Sequence, residues 1–226
     1  VDALLDRLDL RDGQALLEIG CGWGGLAEQA MERCAIRYDG LTLSVEQADY
    51  ARDRLGSGAE IHLTDYRDAQ GQYDAIASVE MVEAVGQHYW PDYLDAVARL
   101  LKPGGRAAIQ YILIDDAIFD HYARGADFIQ TYIFPGGMLI SESRFRALAQ
   151  ERGLEWSDAR HFGGHYAETL RRWRERFDRA IDEGRLPASF DQHFVGLWRY
   201  YLMYCEGGFR GGTIDVAQVT LVKPAA

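Results

Sequence analysis

The sequence predicts an α/β protein whose strands form one doubly wound sheet, and three observations support this. A short apolar run, Ala15 to Ile19, ends in a glycine-rich turn, and a helical pattern begins after it at Leu26. Strand-like and helix-like segments then alternate along the chain, as they do in βαβ units. The alternating, β-branched residues 214–222 are typical of a closing strand.

The spacing of apolar residues predicts the elements in order. Strands are expected over 15–19, up to 43, and over 60–63, 73–78, 106–112, 154–161 and 214–222. Helices are expected over 1–10, 26–34, after Ser44, over 89–101, 143–152, after 163 and over 190–209. At 226 residues and without a linker composition, the chain is expected to form a single domain, 1–226.

Composition narrows the classes of function. The formal net charge of −11 argues against a nucleic-acid binder. Three cysteines without metal-ligand spacing predict a reducing compartment and no metal site. The sequence shows neither a signal peptide nor an apolar run of about 18 residues, so a cytoplasmic location, at most peripheral to a membrane, is expected. The basic run Arg171 to Arg176 is either a solvated helix face or a contact for anionic phospholipid head groups.

The glycine-rich turn predicts a small-molecule site. Four of the six residues from Gly20 to Gly25 are glycine, which allows a positive φ and leaves no Cβ in the way of a ligand. Glu18 lies at the end of the preceding strand. The helix that follows presents free N–H groups, which attract carboxylates and phosphates.

Two pairs of polar residues follow the next predicted strands, and each pair has two interpretations. Ser44 and Gln47 have the pattern of a helix capping box, or they contact a ligand at the carboxyl end of a strand. Asp65 and Tyr66 are a turn residue and a rim aromatic, or they hydrogen-bond an exocyclic amine and stack on a purine.

Two glutamates, Glu80 and Glu83, lie three residues apart in an otherwise apolar run after the fourth strand. In a helical turn they share one face. Burial of an unpaired charge costs several kcal/mol, so at least one of them is expected to be paired or catalytic. The alternative is that both are salt-bridged or exposed.

Several of these strings resemble the cyclopropane fatty acid synthase family of S-adenosylmethionine methyltransferases. The turn EIGCGWGG over 18–25 resembles the family's glycine turn, and GLTLSVEQ over 40–47 resembles its G-V-T-L-S-x-E-Q segment. The string SVEMVEAVG over 78–86 is similar to its S-x-E-M-x-E-x-V-G motif, and FIQTYIFPGG over 128–137 to its F-I-x-x-Y-I-F-P-G-G signature. The resemblance covers essentially all 226 residues.

The resemblance implies a class I methyltransferase fold, which is Rossmann-like. Its seven-stranded sheet is mostly parallel with an antiparallel final strand, and helical insertions over about 115–150 and 163–212 form an acyl pocket. The implied reaction transfers the methyl group of S-adenosylmethionine to the cis double bond of an unsaturated phospholipid acyl chain, with ring closure. A methyl-branched or methylene product stays open, as does a non-catalytic lipid- or nucleotide-binding module.

The resemblance also implies which residues form the site. A bicarbonate ion is expected beside Glu83, Tyr166 and Gln110, although many bacterial members have histidine where this chain has Gln110. The expected cofactor-binding residues are Glu18, Gly20, Gly22, Gly24, Thr42, Ser44, Gln47, Asp65 and Tyr66. The expected substrate-pocket residues are Phe128, Tyr132, Phe134, Tyr201 and Phe209, although ordinary core packing would also explain these aromatics.

The resemblance further implies a segment before the glycine turn that caps the methyl donor. The chain as given begins at Val1, so the family's N-terminal region is expected to be absent from it. The expected partners are an unsaturated phospholipid acyl chain and the inner face of the membrane, with no nucleic acid. A homodimer stays open.

Overall fold

Seven strands form one mixed sheet in the computed structural model, which describes residues 1–225. The strands are β1 (Ala15–Ile19), β2 (Arg37–Thr42), β3 (Ala59–Leu63), β4 (Tyr73–Val79), β5 (Leu101–Ile114), β6 (Glu155–His161) and β7 (Ile214–Val222). The helices are α1 (Asp2–Leu8), α2 (Gly25–Arg33), α3 (Val45–Leu55), α4 (Trp90–Leu100), α5 (Asp116–Tyr122), α6 (Phe128–Tyr132), α7 (Glu142–Glu151), α8 (Gly163–Asp182) and α9 (Gln192–Gly211).

The strand order across the sheet is β3-β2-β1-β4-β5-β7-β6. Strands β1 to β5 pair in parallel, whereas β7 is antiparallel to both β5 and β6. The predicted mostly parallel sheet with an antiparallel final strand is therefore confirmed. Because β1 has β2 on one side and β4 on the other, the crossover direction reverses at β1, and ligands bind at the carboxyl ends of strands at such a point.

Helices cover both faces of the sheet. Leu4, Leu26 and Ala48 bring α1, α2 and α3 onto one face, where all three side chains are buried. On the other face, Trp90 and Phe145 of α4 and α7 pack at right angles in a core that is fully buried. Burial of these apolar side chains stabilises the folded state. The two layers of helices thereby hold the carboxyl ends of β1 and β4 in place.

The structure extends one predicted strand and divides one predicted insertion. Strand β5 begins at Leu101, which pairs with Tyr73 of β4, and continues to Ile114, which pairs with Ile214 of β7. The sequence predicts only 106–112, because the proline and glycines of 102–105 have the pattern of a helix stop. After β5, the short helices α5 and α6 lie where the strand-helix alternation breaks.

The long helices α8 and α9 form a third layer beside the end of the sheet. Leu170 of α8 and Leu202 and Phe209 of α9 are buried with Val216 of β7. Since β7 begins directly after α9 and pairs with the end of β5, this pair of helices lies beside the carboxyl edge of the sheet. Among residues 1–225, no helix combines the length and the apolar character that crossing a membrane requires.

Candidate active site

The glycine turn between β1 and α2 has the backbone conformation that its composition predicts. Gly20, Gly22 and Gly24 have φ angles of 83°, 52° and 79°, which are in the left-handed region that favours glycine. A Cβ atom at Gly20 would lie 2.7 Å from Cγ of Met81. The turn therefore approaches the segment after β4 too closely for any larger residue.

Glu18 is a buried residue of β1, shortly before this turn. Its Oε2 accepts a hydrogen bond from the hydroxyl of Tyr38 at 2.5 Å. Burial raises the pKa of Glu18 to about 8, against the opposing effect of that hydrogen bond. Glu18, Gly20 and Gly22 line a cavity of about 680 Å³, hereafter the smaller cavity, at the carboxyl end of β1.

The residues after β2 form half of the predicted capping box. Oγ of Ser44 accepts from the N–H of Gln47 at 3.2 Å, which makes Ser44 the N-cap of α3. The side-chain carbonyl of Gln47 does not bond back to Ser44 but accepts from Oγ1 of Thr42 at 2.7 Å. A ligand at this strand end would therefore meet the NH₂ end of the Gln47 amide.

The two predicted site residues after β3, Asp65 and Tyr66, both contact other side chains of the protein. The side chain of Arg67 donates to both carboxylate oxygens of Asp65, at 2.9 and 2.7 Å, and its backbone N–H also donates to Oδ1. Asp65 thus has partners within the protein, and its interpretation as a ligand contact stays a prediction. Tyr66 is 7% exposed and packs edge-on against Tyr93, so its interpretation as a rim aromatic was wrong.

Glu83 follows Met81 in the sequence and lies in the 3-10 turn Val82–Ala84. Its Oε1 accepts from the backbone N–H of Ile112, and its Oε2 is buried without a hydrogen-bond partner among residues 1–225. Burial raises the pKa of Glu83 to about 8, and the charge of Glu80 adds to the rise. Glu83 is therefore a largely neutral carboxylic acid at pH 7, able to donate one hydrogen bond.

Glu80, rather than Glu83, contacts the other two predicted catalytic residues. Its Oε1 accepts from Nε2 of Gln110 at 2.7 Å and from the hydroxyl of Tyr166. Nε2 of Gln110 also donates to the Tyr166 hydroxyl at 2.7 Å. Burial and the charge of Glu80 hold the pKa of Tyr166 well above its ordinary value, so the phenol stays protonated.

The sequence analysis did not predict the backbone conformation of Glu80, and it did not name Gln218 as a member of this arrangement. Glu80 has a φ of 50°, a left-handed conformation that turns the backbone sharply after β4, and no periodicity in the sequence indicates it. Gln218, at the centre of β7, donates from Nε2 to Oε1 of Gln110 at 2.8 Å. A polar residue within the alternating strand 214–222 was the available signal for Gln218.

A second cavity, of about 1080 Å³, lies between the α5–α6 insertion, β5 and α9. It is called the acyl cavity below because the family resemblance predicts an acyl pocket in this region. Ile112, Ile133, Met138 and other apolar side chains form most of its wall, and Glu80 and Glu83 are also in the wall. Gln110 and Tyr166 line the smaller cavity. Because these two residues bond directly to Glu80, the hydrogen-bonded group marks where the two cavities adjoin.

The predicted pocket aromatics divide into two groups. Phe134, Tyr201 and Phe209 line the acyl cavity. Phe128 and Tyr132 do not; Phe128 instead packs edge-on against Tyr200 on α9, with ring centroids 4.6 Å apart. A helix of five residues such as α6 has too few turns for periodicity to predict which side faces a cavity.

One cluster of potential metal ligands lies away from both cavities among the described residues. The carboxylates of Asp39 and Glu60 and the ring of His62 have ligand atoms within 4.8 Å of one another. Both oxygens of Asp39 already have partners, Arg37 at 2.8 Å and His62 at 3.0 Å. We assign no function to this cluster.

Comparison with known proteins identifies a family and several relatives of this chain. Residues 1–219 match the profile of the mycolic acid cyclopropane synthetase family. The chain is 45% identical over 229 residues to a tuberculostearic acid methyltransferase of Mycobacterium tuberculosis, covering 99% of this chain and 53% of that protein. It is 36% identical over 223 residues to the cyclopropane-fatty-acyl-phospholipid synthase of Escherichia coli, covering 97% of this chain and 56% of that protein. The chain thus spans about half the length of these relatives.

Solved structures agree with the sequence relatives. The cyclopropane synthase MmaA2 from Mycobacterium tuberculosis superimposes with a TM-score of 0.89 at 28% identity, covering 98% of this chain and 82% of that one. The mycolic acid cyclopropane synthase CmaA1, complexed with S-adenosylhomocysteine and CTAB, gives the same score, identity and coverage. The chain belongs to the mycolic acid cyclopropane synthetase family of S-adenosylmethionine-dependent methyltransferases.

Proposed function

We propose that this protein transfers the methyl group of S-adenosylmethionine to the cis double bond of an unsaturated phospholipid acyl chain and closes a cyclopropane ring. The main supporting observation is the acyl cavity, which is largely apolar but has two carboxyl groups, Glu80 and Glu83, in its wall. An apolar cavity of this size with a few polar groups is typical of a small-molecule site.

The smaller cavity fits a methyl donor. Its lining includes the turn at Gly20, where a Cβ atom would not fit, and the first turn of α2. The free N–H groups of that helix turn favour a carboxylate. Gln47, after the end of β2, lies outside the lining of this cavity, and its NH₂ group suits a ribose diol that extends toward α3, since an amide can donate to a hydroxyl. S-adenosylmethionine, when bound, supplies a methyl group on a positively charged sulfur.

The apolar wall supports the chemistry at the double bond. An alkene is a weak nucleophile, so the site has to hold it in line with the methyl donor. Water would trap the carbocation that forms after the transfer. Side chains such as Ile112 and Ile133 exclude water from its surroundings. A cavity of this kind therefore both orients the acyl chain and protects the reaction.

Ring closure requires a base for one proton of the new methyl group, and the residues present fit a bicarbonate ion. The unpartnered Oε2 of Glu83 can donate when protonated, and the Tyr166 hydroxyl and the Gln110 amide are further donors. Bicarbonate held by these donors would supply the base. Their task is to bind and orient the anion against the acyl cavity.

Glu80 supports a second product class. Its carboxylate accepts from Gln110 and Tyr166, the same two donors that a bicarbonate ion would use, so the two compete. If Glu80 itself receives the proton, that proton comes either from a neighbouring chain carbon, which gives a methyl-branched alkene, or from the methyl group after a hydride shift, which gives a methylene chain. In both products a carbon–carbon double bond is retained. The similarity to the tuberculostearic acid methyltransferase also favours this product class.

We also propose contact with a lipid surface beside the acyl cavity. The basic run on α8 is a weak candidate, because Arg171 and Arg172 both pair with Glu168. The exposed aromatics Tyr132, Phe134 and Tyr200 lie closer to the cavity, and amphipathic rings suit a bilayer interface. Sedimentation with phospholipid vesicles should fall when Tyr132 and Tyr200 are changed together to serine.

Mass spectrometry of lipids from a host that expresses the full-length protein tests the proposed activity. The ring predicts unsaturated chains that gain one CH₂ and lose their alkene signal. A gain of one CH₂ with the alkene retained supports the second product class. No change in any unsaturated lipid, together with tight calorimetric binding of S-adenosylhomocysteine, would favour a non-catalytic binding module.

A further inference from the structure

We propose that Gln218 is a positioning residue for this reaction: it determines which end of the Gln110 side-chain amide faces Glu80 and Tyr166. The proposal rests on the proposed function for its catalytic consequence. Its structural content, the orientation of one amide by another, can be measured without turnover.

Gln218 lies opposite Gln110 in the sheet. The two residues are register partners on the antiparallel strands β7 and β5, and Nε2 of Gln218 donates to Oε1 of Gln110 at 2.8 Å. Gln218 is only 4% exposed, and both side chains line the smaller cavity. The contact is therefore shielded from most of the surrounding solvent.

The direction of the hydrogen bonds follows from the chemistry of Glu80. A carboxylate only accepts hydrogen bonds, so the Gln110 end that faces it has to be the NH₂ group. The carbonyl end of Gln110 then faces β7, where the NH₂ group of Gln218 meets it. A reversed Gln110 would place its carbonyl oxygen against Glu80 and its NH₂ against that of Gln218.

Packing alone does not explain a glutamine at this position. The neighbouring residues of β7, Ala217 and Val219, are fully buried and apolar, and a buried amide is unfavourable unless it is hydrogen-bonded. The partner that satisfies Gln218 is the amide that orients Tyr166 and Glu80. The residue is therefore placed to act on the site through Gln110.

The test uses Gln218→Glu in the full-length protein. At neutral pH the introduced carboxylate can only accept, so Gln110 has to turn its NH₂ group toward it and its carbonyl oxygen toward Glu80. We expect kcat to fall by about tenfold or more at pH 8. At lower pH the introduced carboxyl becomes protonated, donates to Gln110 again and restores part of kcat.

Other titratable and charged groups face the same cavity and contribute to the pH profile of every variant. They are Glu18, Cys21, Arg54, Arg160, His165 and Tyr166, with Glu80 beside them. The informative quantity is thus the ratio of variant to unmodified kcat at each pH. Gln72→Glu is the matched control: this exposed amide donates to the carbonyl of Arg99 at 2.6 Å, outside both cavities, and its ratio should stay flat.

A readout independent of turnover completes the test. In ¹⁵N-labelled protein without ligands, the side-chain NH₂ signals of Gln110, assigned with Gln110→Leu, should shift in Gln218→Glu at pH 8 and return at lower pH. If Gln218→Glu does not fold, Gln218→Met should shift the same signals without any recovery on acidification. A flat kcat ratio or unshifted Gln110 signals would overturn the proposal. Absence of methyl transfer by the unmodified protein would instead contradict the proposed function and leave the NMR test standing.

Discussion

At the scale of single residues, Glu83 shows how burial decides the chemistry of a carboxyl group. Its motif has two glutamates, and the sequence could not predict which one would be buried. Oε2 of Glu83 is buried without a partner, whereas Glu80 is exposed and hydrogen-bonded to two side chains. The two carboxyl groups, three residues apart, are thus suited to opposite tasks: Glu83 to donating and Glu80 to accepting.

Glu83→Gln should change how stability depends on pH. The pKa of Glu83 is raised from 4.5 to about 8 in the folded protein, chiefly by burial, so between these values the folded state binds a proton that the unfolded state lacks. Stability attributable to this group therefore falls as pH rises from about 5 to 8. Glutamine does not titrate, so the variant should lose less stability over this range in chemical denaturation.

The control for this measurement is Glu32→Gln on the exposed face of α2. It should follow the unmodified protein, which loses stability toward pH 8 partly through Glu18 as well. Parallel stability curves for Glu83→Gln and the unmodified protein would mean that Glu83 is solvated.

Gly20→Ala should disable the cofactor site. The new Cβ would lie 2.7 Å from Met81 at a φ of 83°, and strain of this kind costs about 1 to 3 kcal/mol. We expect a lower Tm and weaker binding of S-adenosylhomocysteine by calorimetry. Gly13→Ala shares a φ of 83° but has open space around its Cβ, so it should lower Tm and leave binding unchanged. Equal binding losses in both variants would contradict the account.

At the scale of elements, the insertion after β5 builds the acyl cavity. Helices α5 and α6 form one wall and α9 another, and a hydrogen bond of 3.2 Å from Tyr204 to Asp127 joins α9 to the start of α6. The aromatic run in this region predicted a pocket or a core. It could not predict that Phe134 faces the cavity while Tyr132 does not, because that depends on how α6 sits against α9.

Tyr201→Trp should narrow the acyl cavity. Tyr201 lines it from α9, so a larger ring at this position reduces the room for an acyl chain without contacting the smaller cavity. We expect methyl transfer to long acyl chains to fall several-fold, with unchanged binding of S-adenosylhomocysteine. Phe190→Trp, an exposed position outside both cavities, is the control. A loss of cofactor binding in Tyr201→Trp would show that the two cavities are not separate sites.

At the scale of the whole molecule, the predictable and unpredictable parts have different physical origins. Strands β1 and β4 and the glycine turn were predictable because short-range spacing determines them. The grouping of Glu80 with Gln110 and Tyr166 joins residues that are 30, 56 and 86 positions apart. It depends on the left-handed backbone at Glu80 and on how α8 packs against β7. Sequence motifs identified these residues but could not predict their contacts.

The central claim is that an acyl double bond reaches the methyl donor where the two cavities adjoin. The most direct test supplies the full-length protein with S-adenosylmethionine carrying a CD₃ methyl group and with vesicles of cis-unsaturated phospholipid. Mass spectrometry of the acyl chains should show a ring that has kept two of the three deuterium atoms, because the base removes one. Acyl chains without any deuterium, while Glu83 and the S-adenosylhomocysteine site are intact, would contradict the account.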